Sequence, residues 1–594
     1  MSLNEQAALG PVRPPERSQL SHLVRHFLER FFNHETASPD GDAKARMVLI
    51  ACAAGLPGFV VALYLWPIYH PMIISPHSKP PYVLPSYWLQ VNHHFFFVVY
   101  SLVAMGLAAV YEWELFFPDL LDVLVLGTLP ISRARMFLSR VAAIAVLILG
   151  FLFAANILAP LTLVPATDPP NVMRFLAGHC VSVAMAGLFS AASILALESL
   201  LIAILGESLF QKISLAVQGI TVTVLVLVLL LFPVLSGVTS ALLQSGNPIV
   251  YWMPPFWFLG IDQQLLEGAV ALPVYATLAK IGCAATLIAV GTATAVYPIA
   301  YVRRVQEHVE GAGTRSQARG VFVPFRWLLH ITAVRSPARR AVFHFIQQTI
   351  QRVPRYRIYL VLYGGVGLSI LVAAVLRFTA RSGRLQAEVS ADGIRAAIGI
   401  VAFWVVAGLR TTFGSPGNRQ GGWIWRFLHG GPPQFEITFE KLLAAKVWVY
   451  LFSAALTMAA VAVFRAIAPP ELLGLQSTIA QLLVAAGMCL LFADVGFLHV
   501  VTEPFTGGTL QAEDNLAFTL LRFFTFFPLI VWLSVVSERW IEIGWLHVEA
   551  AITVIVVAHL WLRRKYMDVV RIHCSQIELE EGEEDFPMKL GLRY

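Results

Sequence analysis

With 594 residues, of which 57% are hydrophobic and only 13% charged, and a mean hydropathy of +0.70, the chain excludes an ordinary soluble domain. Such a domain carries roughly 25% charged residues, and one as apolar as this would aggregate in water. The formal charge of +6 is accounted for by arginines in polar stretches and makes no case for nucleic acid, while the five scattered cysteines contain no C-x-x-C pair, so neither a zinc site nor a disulfide framework is indicated.

Residues 1–19 are polar and lack the apolar core of a cleavable signal. Over 20–32, Leu20, Leu23, Val24, Phe27, Leu28, Phe31 and Phe32 recur at helical spacing, opposite Ser21, His22, Arg25, His26, Glu29 and Arg30. That pattern predicts an amphipathic helix lying in the membrane interface, its basic face suited to an anionic leaflet. A hydrocarbon core of about 30 Å takes about 20 apolar residues per helix, and about twelve spans are predicted. They fall at 47–69, 91–112, 141–165, 175–205, 212–236, 272–300, 357–377, 392–410, 442–465, 476–498, 515–537 and 544–562. The expected fold is all-α: a polytopic membrane protein of two pseudo-repeated six-helix bundles. The predicted divisions are an N-terminal segment (1–46), a first half (47–300), a basic linker (301–356), a second half (357–562) and an acidic tail (563–594).

Orientation follows from Lys and Arg. Residues 1–46 hold six basic residues, and Arg303 to Arg357 holds eleven arginines against Glu307 and Glu310. The loop 237–271 has no Lys or Arg and is rich in aromatic and Pro residues. Both termini and the linker are therefore expected in the cytoplasm of a cell with the protein in its (inner) membrane. The loop 378–391, with Arg381 and Arg384, runs against this rule by lying outside.

The two halves echo each other. A basic pair opens the third span of each: Arg135 and Arg140, then Lys441 and Lys446. Glu198 is followed nine residues on by Glu207, as Asp494 is by Glu503, and the linker ends in a Phe- and Arg-bearing helix (VFHFIQQTIQRVPRYR) that leads into span seven as 20–46 leads into span one. Intramembrane acids are costly unless paired, hydrated or protonated. Glu198, Glu207, Asp494 and Glu503 are thus the polar candidates, either as a seam between the halves that gates a pathway or passes protons, or as structural ion pairs. Lys280, Arg410 and Lys446 are the candidate partners.

Between spans two and three the chain reads DLLDVLVLGTLPISRARMFLSR. Pro118 suits a first helical turn, and Asp119 and Asp122 share one face near that helix's positive end. Leu120, Leu121, Val123 and Leu124 can seat in a partner groove or in the interface, Pro130 breaks the helix, and Arg133 and Arg135 fall at phosphate level. This segment resembles the cytoplasmic segment between the second and third spans of ABC-2-type transporter permeases. The resemblance is strong over about 25 residues and loose over each half. The second copy, GGWIWRFLHGGPPQFEITFEKLLAAKV, departs from it: no acidic stretch and no Leu-Pro-Ile-Ser-Arg turn.

The resemblance implies a permease body of two six-span units that touches an ABC ATPase through Asp119, Asp122, Pro130, Arg133 and Arg135. ATP would be bound by that partner. The sequence itself has no G-x-x-x-x-G-K-[ST] loop, no cofactor signature and no catalytic motif. The implied activity is export of a small-molecule, lipid or peptide substrate across the bilayer. The alternatives are an ion-coupled secondary transporter of 6+6 plan and a membrane enzyme acting on lipid-linked substrates. His70, His77, His93 and His94 follow no ligand spacing, so they read as interfacial histidines and no metal is expected.

Overall fold

The computed structural model describes residues 16–32, 43–69, 85–118, 120–157, 172–309, 334–381, 384–414, 435–469, 472–501, 504–505 and 516–583. Among these, ten helices are long and apolar enough to cross a membrane. The other two expected spans, 47–69 and 515–537, coincide with the helices Ala43–Tyr69 and Leu516–Ile541. The protein is a helical, multi-pass membrane protein.

In chain order the helices are α1 (Glu16–Phe32), α2 (Ala43–Tyr69), α3 (Tyr87–Tyr111), α4 (Leu120–Leu126), α5 (Arg133–Asn156), α6 (Val172–Leu230), α7 (Phe232–Gln244), α8 (Ile249–Trp252), α9 (Pro254–Glu267) and α10 (Pro273–Val309). They continue as α11 (Pro337–Arg352), α12 (Pro354–Val375), α13 (Ala391–Gly414), α14 (Phe435–Ile467), α15 (Leu475–Gly496), α16 (Leu516–Ile541) and α17 (Trp545–Glu583). Helix α6 breaks at Gly206, whose φ of 70° and ψ of 167° only glycine adopts without strain. The break divides it into Val172–Gly206 and Lys212–Leu230.

The chain divides into two compact units, one drawn from Met1–Ala216 and Leu231–Arg315, the other from Val217–Leu230, Ser316–Arg381 and Leu385–Tyr594. The expected first half, 47–300, is therefore not intact. Val217–Leu230 belongs with the second unit, where Thr223 Oγ1 donates to the Gly365 carbonyl (3.4 Å) and Ser369 Oγ to the Thr223 carbonyl (2.9 Å). In each unit an amphipathic helix lies on the third expected span. The apolar stripe of α1 buries Leu23, Phe27 and Phe31 and packs against α5. In the second unit α11 packs against α14, burying Val342 and Ile346 in a core with Ala444, Ala445, Trp448 and Val449. Local chemistry starts these helices. The Ser132 side chain caps α5 by accepting from the Arg135 N–H, and Ser336 caps α11 by accepting from the Arg339 N–H, followed by Pro337 in the first turn.

Three stretches outside the expected spans carry regular structure. The loop 237–271 is largely helical, forming α7, α8 and α9. The loop 378–391 closes on a hairpin of β1 (Leu376–Arg381) and β2 (Arg384–Val389), the one sheet among the described residues. The acidic tail expected over 563–594 is helical as far as Glu583, because Tyr566, Val570 and Cys574 recur every four residues and bury one stripe against Phe439 and Leu442.

Candidate functional site

The segment between α3 and α5 is organised by one buried side chain. Arg140, 3% exposed, lies two turns into α5. Its Nη1 donates to Asp122 Oδ2 (2.7 Å), Nε to the Phe116 carbonyl (3.2 Å), and Nη2 to the carbonyls of Leu115 (2.6 Å) and Phe117 (2.5 Å). The guanidinium also lies over the Phe27 ring of α1, 5.1 Å from its centroid. A planar fork with five donors can serve four acceptors at once, which a lysine ammonium cannot. Tyr297 of α10 donates to the same Phe116 carbonyl (2.7 Å), so α1, α4, α5 and α10 meet around this turn.

Asp122 is accordingly not an exposed docking charge. It is 5% exposed and paired inward, because the short α4 turns its acidic side to Arg140 and its apolar side out. Leu124 and Val125 are 57% and 58% exposed, and Leu129 in the following turn 46%. Pro130 and Arg133 are exposed. Arg135 donates to Gln19 Oε1 of α1 (3.1 Å) rather than standing free. Asp119 lies outside the described residues, as does the second segment over 415–434.

The echo at the basic pair holds in position and differs in chemistry. Lys446 occupies the place of Arg140, and its ammonium lies 3.7 Å from Asp494 and 3.4 Å above the Tyr566 ring. Asp494 also pairs with His559 Nδ1 at 2.6 Å. Asp494 thus finds its partners inside the second unit, as a buried ion-pair cluster. Lys446 was among the partners considered from sequence, whereas His559 was not. Glu198 is buried at 1% exposed, while Glu503 and the side chain of Glu207 lie outside the described residues. Six residues before Lys446 on α14, Glu440 accepts from Arg339 Nη2 (2.6 Å) and Ser336 Oγ (2.8 Å), fixing α11 to α14.

At the other end of the first unit, three helices bring one donor each to a single point: His94 from α3, His179 from α6 and Asp262 from α9. All three are buried, and their ligand-type atoms lie within 4.8 Å of one another, the only such group of three among the described residues. His94 Nδ1 is 3.2 Å from Asp262 Oδ2. Ser182 Oγ donates to Asp262 Oδ1 (3.2 Å) and Gln263 Nε2 to Oδ2 (2.9 Å). Phe175 stacks on His179 (5.8 Å between centroids), and Phe97 meets its edge (5.5 Å). A Cβ on Gly178 would come within 3.0 Å of the Asp262 carbonyl, so the missing side chain lets α9 lie directly on α6. Burial pushes the Asp262 carboxyl up, but the neighbouring His94, with His179 and Ser182, outweighs it and holds it below the usual carboxylate range.

His94 is therefore a core residue rather than an interfacial one. Its neighbour His93 points elsewhere, its Nδ1 2.7 Å from the Tyr69 hydroxyl. His70 and His77 lie outside the described residues. The sequence holds a weak signal for Asp262, an isolated acid inside an aromatic stretch free of Lys and Arg, but nothing that links it to residues 94 and 179. No family model, no curated protein and no solved structure matches the chain.

Proposed function

We propose that the chain is the membrane body of an ATP-driven exporter of ABC-2 type, with ATP bound and hydrolysed by a separate ATPase subunit. In this reading both termini and α4 face the cytoplasm of the (inner) membrane. The observation that carries it is the rigid mounting of α4: a helix of about two turns with an exposed apolar tip, riveted by Arg140 to the first turns of α5. A partner gripping Leu124 and Val125 would pull on a charged, buried knot rather than on a slack loop. Its displacement would pass to α5 and, through Phe27 and Tyr297, to α1 and α10. Asp122 and Arg140 then position the contact, while Leu124, Val125, Leu129 and Arg133 make it. The cargo is a small amphiphile, lipid or peptide able to travel along apolar helix surfaces.

The test begins with a single cysteine at Val125 in a cysteine-free background. In intact cells a membrane-impermeant maleimide should leave it unlabelled, and opening the cytoplasmic side should label it. Purified alone, the chain should not hydrolyse ATP, and Val125→Asp should abolish capture of its co-expressed ATPase while the size-exclusion profile stays that of the parent. Labelling of Val125→Cys from outside, or robust ATP hydrolysis by the isolated chain, would sink this reading. A second reading, ion-coupled transport, draws on one observation: Lys446, Asp494 and His559 form a titratable cluster within spanning helices. Transport that persists without an ATPase and fails in Asp494→Asn would favour it.

A further inference from the structure

The convergence of His94, His179 and Asp262 has no place in the coupling scheme, and it does not depend on what the membrane body transports. Two imidazoles and a carboxylate are a donor set of borderline softness, suited to zinc and its neighbours and poorly suited to calcium or magnesium. A tetrahedral ion with bonds of 2.0–2.2 Å needs ligand atoms roughly 3.4 Å apart. The His94–Asp262 separation of 3.2 Å already matches such an edge, and all the ligand atoms lie within 4.8 Å.

Two further features point to an ion. His179 is 1% exposed, and its Nε2 has no hydrogen-bond partner. An orphaned ring nitrogen is costly in a site walled by Phe97 and Phe175. The carboxylate, in contrast, is held from behind: Ser182 and Gln263 both donate to Asp262, the kind of outer support that ligating carboxylates receive.

We propose that His94, His179 and Asp262 bind one divalent transition-metal ion of the zinc class, with water in the fourth position, and that the ion staples α9 to the spanning helices α3 and α6. The staple is structural. Helix α9 is too short to cross the membrane, and its placement at the end of the first unit would be fixed by the ion together with the close approach at Gly178.

The full-length protein in detergent, dialysed against a chelator and then titrated with Zn²⁺ alone, tests this. The parent should take up roughly one tightly held equivalent per chain, with an upward shift in unfolding temperature on loading. Co²⁺ in its place should give the visible absorption of a four-coordinate site. His179→Ala and Asp262→Asn should each weaken uptake more than tenfold and abolish the shift, while His93→Ala, which alters only the neighbouring Tyr69 contact, should keep both. The comparison of stripped with reloaded parent stands even where a variant fails to fold. If the parent takes up no ion and its unfolding temperature ignores Zn²⁺, the cluster is a plain His94–Asp262 ion pair and the proposal fails. Equal uptake by His179→Ala would mark the zinc as adventitious and overturn it too.

Discussion

Arg140→Ala is the perturbation that most directly probes the mounting of α4. The substitution leaves Asp122, 5% exposed, without its counter-charge and strips a charged donor from the carbonyls of Leu115, Phe116 and Phe117. Removing one partner of a buried ion pair costs about 3–5 kcal/mol, because the remaining charge stays desolvated. Hydrogen bonds from a charged donor contribute about 1.5–3 kcal/mol each and do not add, so the pair loss sets the scale. The cost should fall on local opening of residues 113–132 rather than on the whole unit, since α5 keeps its apolar packing. At 1.4 kcal/mol per tenfold, opening should become more frequent by about two to three and a half orders of magnitude. Amide hydrogen exchange on the detergent-solubilised protein reads this directly, as lost protection in peptides spanning 113–132 with α5 unchanged. Arg140→Lys keeps the charge but cannot reach all four acceptors, so it should fall between. Asp122→Ala combined with Arg140→Ala should recover part of the loss, because no unpaired charge remains. If Arg140→Ala folds and protection over 113–132 equals that of the parent, the knot is not what holds the segment.

Two further outcomes follow from the same kind of accounting. Gly206→Ala should destabilise the first unit by about 1–3 kcal/mol, since φ is 70° and a Cβ there would lie 2.8 Å from Arg303 Nη2; an unchanged thermal unfolding midpoint would contradict the strain assigned to this break. Lys446→Met should cost about 3–5 kcal/mol by leaving Asp494 buried with His559 alone. Lys446→Met with Asp494→Asn should cost less than the single change, and a double variant worse than Lys446→Met would refute the pairing.

Much of this protein could be read from the chain. Runs of about 20 apolar residues have to become helices because lipid offers the backbone no hydrogen-bond partner, and ten such helices are present among the described residues. The stripe of Leu23, Phe27 and Phe31 announced α1, and the repeated basic pairs announced that positions 140 and 446 are equivalent: both are buried, and both hold an acid. These signals are local, carried by periodicity and by caps such as Ser132. What the tertiary structure alone decided is which side chains meet. Asp122 looked like a surface charge because its helix is amphipathic, yet the turn at Gly127 folds that helix back onto α5 and hands the carboxylate to Arg140. Val217–Leu230 belongs to the second unit through hydrogen bonds from Thr223 and Ser369 that no hydropathy pattern records. His94, His179 and Asp262 sit on three separate helices, and no spacing connects them. Their convergence depends on how α9 lies against its neighbours, including its close approach to α6 at Gly178, where a Cβ would come within 3.0 Å of the Asp262 carbonyl. Composition and periodicity specify which residues avoid water; the packing of one helix on another specifies which polar groups are left facing each other.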